Sequence, residues 1–443
     1  MSDNEVLECD LVVIGAGMAG MTAAARAAEA GARVVVVEKA PQIGGSAALS
    51  GGYVWTATSK QQLDRHDNGD PALHAVVIEE YPEVMAWLRG RGIDMSPPVG
   101  ALYGRGYQID MMAHLRSCQS DIEKAGGFVV PGTKALSILK DDGRVAGVLT
   151  SHPDGDTELR APHVLIATGG FQANPDMRAR YIHPAARHMS LRSNNVSAGE
   201  GIELGIAAGG ALAGPNTGYY GHLMARNAPL RGDSDFVRFT QYHSIHGVLL
   251  NRHGKRFVDE SFDDHASSQI TLRQPGATAL LVWDDHAQRV HALLPPVAGA
   301  EALNRYQLAI DAGAPGGCFE RMGDIAAFAD GIGFDGAACV AGLQEYNHLM
   351  TVSPETASPL REQNARPLDR GPWYVLEVDS AITFSFCGLF TDDRARALDP
   401  FGEPIPGLFV AGADVGNAYR LGYGGGLALA ATFAFRAMRT AGF

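Results

Sequence analysis

Residues 9–38 read as a buried strand, a tight glycine turn, an Ala-rich helix and a second buried strand, and no other stretch constrains the fold so strongly. Leu11, Val12, Val13 and Ile14 form an unbroken apolar run, and Gly15-Ala16-Gly17-Met18-Ala19-Gly20 follows at once. A helix is expected over 18–30, ended by Gly31, and residues 33–38 (R-V-V-V-V-E) supply the second strand. That is a βαβ unit of the usual length, about 30 residues. At its turn, G-x-G-x-x-G has a physical use. The first glycine permits the tight turn, the second lets backbone approach a pyrophosphate at the positive helix end, and the third lets helix and strand pack closely. Glu38 ends the second strand, where a carboxylate accepts ribose hydroxyls and disfavours a 2′-phosphate. The expectation is a Rossmann-type dinucleotide site using Gly15, Gly17, Ala19, Gly20 and Glu38.

The dinucleotide is read as FAD. After Lys39-Ala40-Pro41 comes a second small-residue loop, Q-I-G-G-S-A-A-L-S-G-G-Y over 42–53, whose Gly45, Ser46, Gly51 and Gly52 suit the rest of a diphosphate and a flavin. An enzyme that binds only NAD has no need of it. The chain carries one such fingerprint, so a separate NAD(P)H domain is not expected, and electrons pass through the substrate pocket or an external carrier.

At 443 residues the chain exceeds one ordinary core. A helix is expected over 111–126, a hairpin over 135–149 turning at Asp141-Asp142-Gly143, and a buried strand over 164–168 ending in Thr168, Gly169 and Gly170. From 213 to 356 aromatic and His residues thicken, and a Pro-bearing stretch over 353–371 reads as a return linker. Residues 407–443 again give a strand, a glycine turn and an apolar helix. The fold class expected is α/β: a discontinuous, glutathione-reductase-like FAD-binding domain (1–212 and 357–443) with an inserted α+β cap (213–356).

Composition removes several function classes. A formal charge of −13 disfavours a nucleic acid partner, and no apolar run is long enough for a membrane span. The five cysteines are scattered, without C-x-x-C, so neither a disulfide framework nor a structural metal is expected, and the thiols are read as reduced and mostly buried. Residues 1–9 carry three acids and no apolar stretch, unlike a secretory leader, so the cytoplasm is expected. Small molecules remain the expected ligands, and the oligomeric state is not legible.

Five ordered blocks resemble the fumarate reductase and 3-ketosteroid dehydrogenase flavoprotein superfamily. They are G-A-G-M-A-G with V-V-V-E-K, then G-G-S-A-A-L-S-G-G, A-T-G-G-F-Q-A-N-P-D-M-R at 167–178, L-L-N-R-H-G-K-R-F-V-D-E at 249–260, and I-P-G-L-F-V-A-G-A-D at 405–414. The resemblance implies that Glu38, Lys39, Ser46, Gly51, Ala135, Asp414 and the backbone near Leu427 contact FAD, with Asp414 on the ribityl chain. Members with covalent flavin carry a His where this loop has only Ser and Ala, so non-covalent FAD is implied. Physically, Gly424 and Gly426 precede an apolar helix whose positive N-terminus suits the flavin N1/C2 oxygen.

The resemblance also implies hydrogen transfer across a carbon–carbon bond beside a carbonyl or carboxylate. Fumarate reductases place an Arg shortly after R-F-x-x-E and a His before a later Gly-Gly, whereas this chain has Phe262-Asp263-Asp264-His265 and Thr383-Phe384-Ser385-Phe386-Cys387-Gly388. A four-carbon dicarboxylate is therefore a poor fit, and a bulkier, partly apolar ketone a better one. Arg420 is the candidate to orient a carboxylate or polarise a ketone. Tyr423 or Tyr242 is the candidate base, with His243 or His246 as alternatives; were Q-Y-H-S-I-H a strand, Tyr242 and His246 would share one face and His243 take the other. The leading expectation is an FAD-dependent desaturase of a cyclic or steroid-like ketone that uses an external electron acceptor. An ene-acid or enone reductase fed by an external donor is the alternative, and an electron-relay subunit a third.

Overall fold

A computed structural model describes residues 5–232, 235–296 and 300–443, so the first four residues of the acidic N-terminal stretch lie outside it. The chain divides into two compact units, Met1–Ile182 with Ser193–Tyr219 and Phe384–Phe443, and His183–Arg192 with Tyr220–Thr383. The sequence reading set the crossings at 212/213 and 356/357. The return comes later for a physical reason: the 13-residue strand Trp373–Ser385 is the central strand of the second unit's sheet.

The first unit is built on β1 (Leu11–Ile14), α1 (Met18–Glu29) and β2 (Val34–Glu38). β1 pairs in parallel with β2 on one side and with His163–Ile166 on the other. The sheet extends through Phe128–Pro131 beyond β2, and through Pro404–Val410 to an antiparallel edge strand, Arg396–Leu398. The inner strands read as continuous Val, Leu and Ile because both of their faces are covered. Ala23, Ala24, Ala27 and Ala28 of α1 are buried, and their small side chains let α1 lie close against the last helix, Gly426–Ala441. The hairpin foreseen at 141–143 pairs Lys134–Asp141 with Arg144–His152.

In the second unit, Trp373–Ser385 pairs with Thr278–Asp284, Ser190–Leu191, Tyr219–Ala225 and Gly316–Phe319. Ala279, Leu281 and Trp283 enter one apolar cluster while Leu280 and Val282 enter another, the period of two expected of a strand buried on both faces. Helices Ile325–Gly331 and Gly336–Val352 supply side chains to the second cluster, so the unit is α+β. The L-L-N-R-H-G-K-R-F-V-D-E block ends on buried Glu260, which accepts from the Leu249 N–H at 3.0 Å, Arg256 at 2.7 Å and Arg361 at 3.1 Å.

Q-Y-H-S-I-H is a 3₁₀ helix, Tyr242–His246, not a strand. The Ser244 N–H reaches the Gln241 carbonyl at 3.0 Å, closing the turn locally. With three residues per turn, His243 and His246 share a side, and the alternation expected of a strand does not apply. Among the described residues no helix is long and apolar enough to cross a membrane. Cys9, Cys118, Cys339 and Cys387 are buried free thiols, and Cys318 is exposed.

Candidate active site

The glycine turn shows which of its positions face protein and which face a ligand. A Cβ on Gly15 would stand 2.3 Å from the Ala167 carbonyl oxygen, and one on Gly20 would stand 1.9 Å from that of Gly15. One on Gly17 would meet nothing nearer than the Gly44 carbonyl oxygen, at 3.7 Å. Gly17 caps α1 with no side-chain hydrogen bond, so first-turn N–H groups of a 12-residue helix open onto the same space. The Gly44 N–H donates to the Ala16 carbonyl at 2.9 Å, tying the second glycine loop to the first. Glu38 accepts from the Ala16 and Ala40 N–H groups at 2.8 and 2.7 Å, which fixes its carboxylate at the end of β2. A pyrophosphate fits this cradle.

Other expected cofactor residues are placed as follows. Gly45 and Ser46 lie in the short helix Gly45–Ala48, where Ser46 Oγ is 2.6 Å from both Ser193 Oγ and Asn194 Nδ2. Gly51 and Gly52 precede the strand Tyr53–Thr56, Ala19 is buried in α1, and Ala135 is buried in Lys134–Asp141. Lys39 Nζ donates to the Val196 carbonyl at 2.7 Å and to Glu200, so its charge is engaged within the protein. Asp414 is fully buried. It accepts from the Thr168 N–H, from the Gly169 and Gly170 N–H groups at 2.9 and 3.1 Å, and from Thr168 Oγ1 at 3.0 Å. Burial pushes its pKa up and those donors pull it back. Its carboxylate thus holds the A-T-G-G turn.

The last helix begins against a wall of rings. Tyr423 is buried, its Oη accepts the Gly426 N–H at 2.8 Å, and its ring lies 5.4 Å from Trp55, 5.9 Å from Phe384 and 5.9 Å from Tyr419. Phe386 meets both Phe384 and Tyr419 at 5.7 Å, and Tyr103 meets Trp55 at 6.0 Å. A Cβ on Gly425 would stand 1.9 Å from the Trp55 carbonyl oxygen, so the glycine there serves protein packing, while Gly424 and Leu427 flank the same helix start. Arg420 has an exposed side chain, and its backbone N–H is held by Asp67 at 2.8 Å. Nothing in the sequence had marked Asp67, which is buried and takes the N–H groups of Arg420, Leu421 and Gly422 on one oxygen.

A family described as FAD binding domain matches residues 10–429. The chain belongs to that family. This FAD-dependent flavoprotein is 26% identical over 466 residues to a fumarate reductase (cytochrome) of Shewanella frigidimarina, covering 96% of this chain and 75% of the relative. It is 25% identical over 535 residues to a 4-oxocyclohexanecarboxylate 2-dehydrogenase of Sinomonas cyclohexanicum, covering 94% and 89%. Its fold is shared with the crystal structure of a 3-ketosteroid-Δ4-(5α)-dehydrogenase from Rhodococcus jostii RHA1, at a TM-score of 0.78 and 22% identity, covering 100% and 98%. The flavoprotein thus has the fold of the fumarate reductase and ketosteroid dehydrogenase superfamily, as the five blocks implied.

The flavoprotein's second unit holds the remaining candidates. Tyr242 is half-buried, its Oη accepts from Arg192 at 3.2 Å, and the Arg305 guanidinium lies 5.2 Å from its ring centre. His243 is buried edge-on to Trp283 at 4.6 Å; its Nε2 has no hydrogen-bond partner among the described residues, and burial pushes its pKa down to about 3. His246 stacks on His291 at 3.5 Å, and burial with that neighbour lowers it to about 4. Sequence reasoning missed His222, Asp264 and His265, whose ligating atoms all lie within 4.8 Å of one another. The D-D-H run was the visible signal, but His222, 42 residues away from Asp264, could be joined to it only by the fold.

Proposed function

We propose that this flavoprotein desaturates a carbon–carbon bond beside a carbonyl in a ring-shaped, largely apolar substrate. The observation that carries this reading is the aromatic wall at the start of the last helix, formed by Trp55, Tyr103, Phe384, Phe386, Tyr419 and Tyr423. Rings of this size bury apolar area and stack on flat substrates, whereas a short dicarboxylate needs a cation at each end. The ring ketone named in the Sinomonas relative and the ketosteroid named in the Rhodococcus structure are compounds such a wall suits.

Bound FAD supplies the two-electron acceptor for hydride. The chain's own groups do the rest. The Gly17 cradle and Glu38 anchor the dinucleotide end, and the N–H groups opening the last helix favour negative charge at the other. Tyr423, held at the helix start by the Gly426 N–H on its Oη, is the residue to polarise a carbonyl. Arg420, exposed and fixed through its backbone, orients the carbonyl or a ring carboxylate.

Anaerobic mixing of the FAD-loaded protein with 3-ketosteroids, 4-oxocyclohexanecarboxylate and succinate tests this. The ketones are expected to bleach the flavin absorbance. Bleaching by succinate alone rejects the ketone reading, and reoxidation of dithionite-reduced flavin by enones without bleaching by any ketone assigns the reductive direction.

A further inference from the structure

Inside the second unit two guanidiniums meet at one phenol. Arg192 and Arg305, the latter opening the helix Arg305–Asp311, are buried at 4% and 3% exposure. Arg192 Nη2 donates to Tyr242 Oη at 3.2 Å, and the Arg305 guanidinium carbon lies 5.2 Å from the centre of the same ring. One short helix, Asp235–Phe239, braces both cations. The Phe236 ring centre is 5.1 Å from the Arg192 guanidinium, and the Val237 carbonyl accepts from Arg305 Nε at 3.0 Å. Arg192 also donates to Thr240 Oγ1 at 3.1 Å and Thr383 Oγ1 at 2.8 Å. All of these residues belong to the second unit.

The cluster is rich in donors and poor in acceptors. Among the described residues neither guanidinium has a carboxylate within ion-pair distance. A guanidinium carries five N–H groups, so both keep donors beyond the bonds just named. Arg305 Nη2 is buried and has no hydrogen-bond partner among the described residues. Tyr242 Oη accepts from Arg192 and still has its own proton to give. The nearby carboxylates do not fill the gap. Asp264 Oδ2 is engaged 2.6 Å from His222 Nδ1, while His222 Nε2 lies 3.2 Å from Tyr220 Oη, so Asp264 acts on Arg192 through space alone. Glu301 is exposed and acts on Arg305 in the same way.

A buried charge left unpaired is costly, and an anion entering from outside removes that cost. The donors set its shape. A planar carboxylate accepts parallel N–H groups from a guanidinium and keeps lone pairs for a phenol O–H. Asp264 already answers part of the Arg192 charge, so a single negative charge balances the rest. We propose that Arg192, Tyr242 and Arg305 form a binding site of the second unit for the carboxylate of a small organic monoacid. Arg305 supplies the free guanidinium edge, Tyr242 the O–H, and Arg192 the second positive charge. Tyr242, the half-buried member, is the one a ligand reaches first. The site stands on this unit alone and is independent of the flavin chemistry.

The test is calorimetric titration of the FAD-loaded chain with cyclohexanecarboxylate, its neutral isostere cyclohexanecarboxamide, and inorganic phosphate, at matched ionic strength. Wild type is expected to bind one cyclohexanecarboxylate per chain, and the amide at least about tenfold more weakly. Arg192→Met and Arg305→Met are each expected to weaken the acid at least about tenfold, and Tyr242→Phe about threefold. Thermal melts separate binding from a packing role. Without ligand, Arg305→Met should melt no lower than wild type, because an apolar chain replaces an unpaired buried charge. Saturating acid should then raise the melting temperature of wild type only. Should Arg192→Met fail to fold, Arg305→Met and Tyr242→Phe still decide. The proposal is overturned by a wild type that binds no acid, by equal affinity for acid and amide, or by tighter binding of phosphate. Affinity within about twofold of wild type in Arg305→Met overturns it as well. Acid that competes with a ring ketone in anaerobic bleaching is the substrate's own group, and acid that does not compete is a separate ligand; the site stands in both cases. A wild type that binds the acid yet bleaches with no ketone keeps this site and loses the desaturation reading.

Discussion

His74 Nε2 stands 3.1 Å from Asp67 Oδ2, and this bond leaves Asp67 Oδ1 to receive the backbone N–H groups of Arg420, Leu421 and Gly422 at 2.8, 2.9 and 3.0 Å. The other nitrogen of His74 is 2.6 Å from Asp64 Oδ1. The loop that presents Arg420 and Tyr423 is thus clamped from beneath by a buried carboxylate. Asp67→Ala strands three N–H groups and removes one partner of a buried charge, so the apoprotein should lose about 3–5 kcal/mol and bind FAD more weakly. Chemical unfolding of the two apoproteins, with FAD titration, checks this; equal unfolding midpoints would mean the clamp is idle.

The clamp titrates. Burial alone would lower His74, but its hydrogen bonds and attraction to Asp67 and Asp64 prevail and raise it. A folded value above the unfolded one near 6.5 means that its stabilisation is complete below that pH and fades as pH rises through the folded value. The difference in melting temperature between wild type and His74→Gln should therefore shrink from pH 6 to pH 9. A difference constant across that range excludes a charged His74.

Gly17 and Gly20 should fail differently. Alanine at 20 would drive a methyl to within 1.9 Å of the Gly15 carbonyl oxygen and should cost the apoprotein about 1–3 kcal/mol. Alanine at 17, where φ is −84° and no protein atom lies nearer than 3.7 Å, should fold normally but come out largely colourless. Apoprotein melting curves and the visible spectrum of each variant separate the two effects.

His243 makes the second unit acid-sensitive. Its folded pKa, about 3, lies below the unfolded value near 6.5, so its contribution is full above 6.5 and drains away as pH falls toward 3. His243→Phe cannot take up that proton when unfolded, and relative to wild type it should gain about 2 kcal/mol between pH 7 and pH 5. Denaturant midpoints at the two pH values give the number.

Arg420 contributes its backbone to the clamp and leaves its side chain exposed, where a ligand can meet it. Arg420→Ala should keep its FAD and its melting temperature while turnover of a ring ketone falls about 100-fold. Steady-state kinetics beside a thermal melt decide, and an unchanged kcat/KM removes Arg420 from the site.

What the sequence disclosed follows from how local each feature is. The βαβ unit was legible because strand, turn and helix are contiguous and each obeys its own periodicity. The hairpin at 141–143 was legible for the same reason. Asp67 and His74 were not, because a carboxylate bound to backbone 353 residues further on has no local pattern. Tyr220, His222 and Asp264 carry no spacing that distinguishes them from packing residues. The Tyr242–His246 segment stayed open because 3₁₀ turns and short strands use the same residues, and local hydrogen bonding decides between them.

The strand Pro404–Val410 fills a slot between His163–Ile166 and Arg396–Leu398, and the final helix follows it. On the ribosome, the first 182 residues must therefore wait with one flank of their central sheet open while the entire intervening unit is synthesised. Coenzyme capture has to wait for that strand and the helix after it, and truncation anywhere before residue 404 should yield a product destined for proteolysis rather than a shortened yellow protein.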